Sequence, residues 1–411
     1  LGPWAFSVRD GRVSDEGAHA SGRRVLDFGD LLVVPGAVDP HVHFRDPGAP
    51  EKEDFASGTR GAALGGVTTV LDMPNTTPPT VTAEALDDKL ARARAGACVD
   101  FGLHVGLDER GASIDLLPRA SAMKIYLGAT TGDLLVRDLA VVRRALVEAA
   151  RTRRTVAVHA ESQECLDRHR HLASEAYPTH AASRPPACEA DAIRQLEEAA
   201  RGTRARVHVA HLSTRAGLAA LAGTGFTAEV TPHHLLLTQE RLRDGGPFKM
   251  NPPLRASDDA AALWDGLASG RIACLASDHA PHTRAEKAAP DQRHCPAGVP
   301  GVQTLLPVLL PHALAGRVPL ARLLDASVAA ARAFGLPKGA LRPGMDADFA
   351  VYSLEDARPV RAADMASKAG WTPFEGMPAI FPRAVYLRGR PIVEDGRFTG
   401  SRGVGRYVVP A

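Results

Sequence analysis

Eight short apolar runs, separated by stretches of helical pattern, constrain this chain more than any other feature it has. The candidate strands are 33–42, 67–73, 100–105, 122–127, 155–159, 206–211, 226–230 and 272–277. Between them lie helix-like runs such as 83–97, 136–152, 189–201 and 257–269. Strands buried on both faces read as near-continuous apolar runs rather than alternating ones. Strand and helix in turn predict a parallel α/β sheet, and eight units over roughly 300 residues fit a closed (β/α)8 TIM-type barrel better than an open sheet.

Outside that span the texture changes. Residues 4–8, 10–13 and 24–28 read as short strands, and Asp10-Gly11 is a hairpin signal. Beyond Leu336 the chain is turn-rich and then β-like over 339–352, 383–393 and 396–409, with Asp395-Gly396 as a second turn. Neither end is long enough to enclose its own core. The expectation is one small β-sandwich built from 1–36 and 339–411, beside a barrel of 37–338.

The 411 residues are 45% hydrophobic and 23% charged, enough for a sizeable core and a solvated surface. A formal net charge of +2 gives no reason to expect a nucleic-acid or membrane partner. Patches such as Arg151-Thr152-Arg153-Arg154 read as solvated helix ends. Five cysteines without C-x-x-C spacing predict reduced thiols rather than a disulfide framework. With no leader-like pattern at Leu1 and no run of about 18 apolar residues, the expectation is a soluble, cytoplasmic protein.

The first strand ends in Asp39-Pro40-His41-Val42-His43. Residues i and i+2 of an extended chain point to the same side, so His41 and His43 aim two imidazoles at one place, as neighbouring ligands of a metal ion require. Two surface histidines in a loop would look the same; the neighbours decide. Active-site groups of such a barrel sit at the C-terminal ends of its strands. There the chain places Asn75 after the second strand, Lys124 in the fourth, and His159, His211 and Asp278 at the ends of the fifth, sixth and eighth. A lysine inside an apolar strand is costly unless paired or modified. Arg45, two residues past His43, supplies a fork of donors suited to a carboxylate; a salt bridge to Asp46 or Glu51 is the alternative.

These motifs carry a resemblance. Residues 39–48 (DPHVHFRDPG), Lys52-Glu53, Gly65-Gly66-Val67-Thr68-Thr69, Met73-Pro74-Asn75-Thr76 and Ser277-Asp278-His279-Ala280-Pro281-His282 resemble the dihydroorotases of the amidohydrolase superfamily, and the likeness runs over nearly the whole chain. The resemblance implies the same barrel with a composite β domain. It implies two divalent metal ions, Zn2+ best suited, with His41, His43 and Asp278 at one and His159 and His211 at the other. Lys124 would join them as a carbamate formed with carbon dioxide; a buried ion pair is its plain alternative. It implies Asp278 as general base and then acid in cyclic amide hydrolysis, with Arg45, Asn75 and His282, the last as an imidazolium, holding an exocyclic carboxylate. Thr130 and Thr131 resemble the mobile loop that reaches the substrate, against a plain turn. Asn251, Ala297 and Gly298 match loops that bond to the pyrimidine ring. His180, His208 and His279 are expected to be structural, and His233 and His234 either structural or supports behind the metal ligands. The substrate implied is dihydroorotate or N-carbamoyl-L-aspartate, and the assembly a homodimer that could dock aspartate carbamoyltransferase. Allantoinase or hydantoinase activity and a non-catalytic scaffold are the rivals.

Overall fold

The structure is a computed structural model that describes residues 5–14 and 24–410. Strands β1 (Ser7–Arg9) and β2 (Arg12–Ser14) form an antiparallel hairpin. Its turn residues Asp10 and Gly11 both take positive φ, 52° and 80°, as a tight hairpin turn demands. The expected strand at Trp4 begins outside the described residues, and 24–28 pairs with no strand among the described residues.

The eight expected units are present. Strands β4 (Ala37–Val42), β5 (Val67–Asp72), β6 (Asp100–Gly106), β7 (Ala122–Tyr126), β8 (Thr155–His159), β9 (Arg206–Val209), β10 (Thr227–Val230) and β11 (Cys274–Leu275) follow β3 (Leu32–Pro35) and lie side by side in sequence order, all parallel. The crossovers are helices Phe55–Leu64, Ala83–Gly96, Leu139–Thr152, Pro186–Ala200, Arg215–Ala220, Ser257–Ala268 and Leu320–Phe334, with a 3-10 helix, Ala112–Arg119, in the third. Between β11 and β4 the ring closes through one parallel bridge, Val42 with His279, and a 2.7 Å bond from His43 N to the His279 carbonyl. The seam of the barrel therefore runs through the histidine motif itself.

Alternation along the strands divides the core. Val70, Met123, Val156 and Val158 face the helices in the large cluster with Leu146, Ile193 and Leu196. Val38, Leu71, Ala122 and Ala157 join Phe334 in a smaller one inside the ring. Lys124 has the parity of Ala122, and His159 that of Ala157, so both side chains face the barrel interior.

Both chain ends build the companion unit. Strand β3 pairs antiparallel with β12 (Phe349–Tyr352) in a five-stranded sheet completed by β15 (Ala384–Leu387), β16 (Arg390–Glu394) and β17 (Arg397–Phe398); β13 (Ala357–Pro359) and β14 (Pro378–Ile380) pair separately. Phe349 stacks on Tyr386 at 4.4 Å, with Phe6 and Phe28 edge-on over Phe349. Lys338 joins this unit to the barrel through Asp100, Asp346 and Asp348.

One expectation is overturned. Cys165 and Cys188 are joined in a disulfide, S–S 2.06 Å, while Cys98, Cys274 and Cys295 are free and buried. Helix Gln163–His169 packs on Pro186–Ala200 and brings two Cα atoms 23 residues apart to 5.2 Å, within disulfide reach. Spacing in the sequence carries no trace of that contact. Among the described residues no helix is long and apolar enough to cross a membrane.

Candidate active site and metal centre

The C-terminal rim of the barrel gathers the residues singled out by the sequence. His41, His43, Arg45, Asn75, Thr130, Thr131, His159, His211, Asn251, Asp278, Ala297 and Gly298 line one cavity, with Lys124 buried beneath it. His282 stands behind Arg45, its Nε2 3.2 Å from Nη2.

Local structure explains this convergence. The Asp72 carboxylate at the end of β5 accepts the Phe44 N–H at 2.8 Å and pairs with fully buried Lys89 at 2.6 Å. The turn after β4 is thereby fixed, with His43 on one side of Phe44 and Arg45 on the other. Arg45, His211 and Asp278 all sit at positive φ, 59°, 34° and 45°. Non-glycine residues held there persist only where the surroundings over-determine them, and such positions cluster at functional sites.

Hydrogen bonds decide which ring nitrogens carry protons. Glu229 Oε1 lies 2.6 Å from His41 Nδ1, and Glu161 Oε2 2.9 Å from His159 Nε2. Asn75 turns its amide NH2 to the Thr131 carbonyl at 3.0 Å, leaving its oxygen to accept from His43 Nδ1 at 2.7 Å. Each acceptor draws the proton to that nitrogen and leaves the other as a bare lone pair. His41 Nε2 and His43 Nε2 then face Asp278 Oδ1 at 3.3 and 3.2 Å. His159 Nδ1 faces His211 Nε2 at 3.0 Å, and His211 Nδ1 has no hydrogen-bond partner. Burial pushes His41 down to about 4 and lowers His43, His159 and His211, so all four are neutral at pH 7. The donor atoms of His41, His43 and Asp278 lie within 4.8 Å of one another. Acceptors converging without protons between them are what a divalent cation stabilises, so the residues fit a metal centre.

Lys124 Nζ is 3.5 Å from His41 Nε2 and fully buried. No carboxylate forms an ion pair with it among the described residues, while the charges of Glu229 and Asp278 both act on it. Burial lowers its amine to about 8. Arg45 is likewise buried without a carboxylate partner among the described residues; Asp46 pairs with Arg92 instead, at 3.3 Å. His282 departs from expectation. Burial and the adjoining Arg45 guanidinium push it down to about 2, so it is neutral rather than an imidazolium. Asn251 Nδ2 donates to Thr130 Oγ1 at 3.2 Å, which ties the loop after β7 to the loop that carries Asn251.

The likeness to known proteins runs over nearly the whole chain. Residues 32–378 match the amidohydrolase family. The chain belongs to that family. It is 43% identical to a dihydroorotase of Halobacterium salinarum, over 94% of this chain and 93% of the relative. It is 38% identical to an allantoinase of Rubrobacter xylanophilus, over 98% and 93%. Among solved structures, an L-hydantoinase (dihydropyrimidinase) from Arthrobacter aurescens superposes with a TM-score of 0.91 at 28% identity, covering 98% of this chain and 95% of that one. Amidohydrolases are metal-dependent hydrolases, and the groups above are this member's candidate ligands.

Two carboxylates escaped the sequence reading. Glu229 also accepts from His208 Nε2 at 3.0 Å and His211 N at 3.1 Å, and Glu161 is clamped by Arg184. The available signal was a glutamate inside the apolar strand β10, and another two residues past His159. His208, His180, His234 and His279 keep structural partners in Glu229, the Met250 carbonyl, the Pro252 carbonyl and Glu53. Glu229→Gln is expected to weaken metal binding about 10- to 100-fold, read by titrating the metal-stripped protein with Zn2+. Wild-type affinity in the variant would show that Glu229 does not orient His41.

Proposed function

We propose that this amidohydrolase interconverts L-dihydroorotate and N-carbamoyl-L-aspartate, a step of pyrimidine biosynthesis. The observation that carries the reading is Arg45: a buried guanidinium with no carboxylate of its own, opening into the cavity that holds the histidine cluster. An uncompensated buried charge is costly, and a substrate carboxylate supplies the missing partner. Neutral rings such as hydantoin or allantoin leave it unpaired. The relatives named dihydroorotases support the same choice, and the allantoinase relative keeps ureide hydrolysis as the rival.

In this reading Arg45 takes the carboxylate as a fork, with Asn75 and His282 completing its surroundings. Asn251, Ala297 and Gly298 bond to the ring, and Thr130 and Thr131 cover it. Two divalent ions, Zn2+ by the chemistry of the donors, would be held by His41, His43, Asp278, His159 and His211 and would supply carbonyl polarisation and a hydroxide at neutral pH. Lys124, as a carbamate, would help to hold them; a buried amine lowered to about 8 has a neutral fraction able to react with carbon dioxide. Asp278 receives the nucleophile's proton as the C–O bond forms and returns it to the ring nitrogen as the C–N bond breaks. The catalytic unit is 37–338, with 1–36 and 339–411 as its companion, in a cytoplasmic homodimer for which docking to aspartate carbamoyltransferase is the further option.

The test is ring opening of dihydroorotate before and after chelation. Treatment with a strong chelator is expected to lower turnover at least about 100-fold, with recovery on adding Zn2+. Full activity in metal-free protein, or hydantoin or allantoin turned over faster than dihydroorotate, would overturn the assignment.

A further inference from the structure

Tyr126 is the last residue of β7, two beyond Lys124 and therefore on the same, inward face. It is 4% exposed and lines the cavity alongside Arg45, Asn75 and Asp278. Its ring is held from two sides: Lys124 Nζ lies 5.4 Å from the centroid, and the His159 ring packs at 6.1 Å. The phenol oxygen is buried and has no hydrogen-bond partner among the described residues. Buried tyrosine hydroxyls normally find one, since an unmet donor forfeits its bond to water and gains nothing in return.

Two side-chain amides of the same wall already give an N–H to the protein. The Asn75 amide donates to the Thr131 carbonyl and the Asn251 amide to Thr130 Oγ1. A rigid ring carrying an unspent hydroxyl, beside an unpaired guanidinium, is matched by a ligand that brings an oxygen acceptor to both. We propose that Tyr126 is a specificity-determining residue whose hydroxyl donates a hydrogen bond to the substrate carboxylate gripped by Arg45. This rests on the dihydroorotate reading. Tyr126 and Arg45 then discriminate carboxylated rings from uncharged ones together, and losing either makes the other worth less.

That coupling can be measured by a double-mutant cycle on kcat/KM for dihydroorotate, using Tyr126→Phe, Arg45→Lys and the pair, with metal content determined for each. Tyr126→Phe removes one oxygen and keeps the ring. It is expected to lower kcat/KM about tenfold in the wild-type background, chiefly through KM, and less than about threefold beside Arg45→Lys. Metal content should match the wild type. Equal losses in both backgrounds, no loss in either, or metal lost from Tyr126→Phe would each overturn the proposal. A wild-type enzyme inactive on dihydroorotate would instead sink the functional reading beneath it.

Discussion

Asp278→Ala is expected to lower kcat for ring opening of dihydroorotate by about 10^3-fold or more, while circular dichroism and Tm stay near those of the wild type. Two separate roles fail at once: the carboxylate facing His41 Nε2 and His43 Nε2 at 3.3 and 3.2 Å is lost, and so is the group that carries the proton. The fold should survive for a physical reason. Asp278 lies three residues beyond β11, outside any helix or strand, and burial raises its pKa, so its charge is a cost to the folded chain rather than a support. Alanine at φ 45° retains the strain already present, which on general grounds is about 1 kcal/mol. Asp278→Asn separates the roles, since it keeps the shape and one oxygen but cannot take up a proton. Turnover within tenfold of the wild type in either variant would remove Asp278 as the base.

Arg45→Met is expected to cost about 10^3-fold in kcat/KM with dihydroorotate, and about tenfold or less with dihydrouracil, the same ring without its carboxylate. A bidentate charged pair in a dry site contributes roughly 4 kcal/mol, and methionine keeps much of the apolar stem while removing every donor. The same change relieves a buried, unpaired charge, so the variant should be no less stable by thermal melting. Equal losses on the two substrates would take Arg45 out of carboxylate recognition and favour the ureide rival. The cavity makes the sharper outcome the expected one, because among the described residues the guanidinium hydrogen-bonds only to His282 and the Pro281 carbonyl, at 3.2 and 3.4 Å.

The sequence by itself determined the barrel, its strand order and the ring of residues at its rim. Periodicity is a local property: an apolar run with helix on either side has few ways to be buried, and a polar group at the end of such a run lands at one edge of the ring whatever the details. His41 with His43, Lys124, His159, His211 and Asp278 were visible for that reason. Contacts between distant segments leave no periodic mark, and these only the tertiary structure decided. The Cys165–Cys188 bond depends on two helices packing. Glu229 fixes the proton on His41 from another strand, and the neutral state of His282 follows from its burial against Arg45. Nor could Tyr126 be told from a core aromatic until its hydroxyl was seen without a partner. Sequence places side chains on faces; solvent exclusion and neighbouring charge, which exist only in the folded chain, settle their protonation and what each has left to offer a ligand.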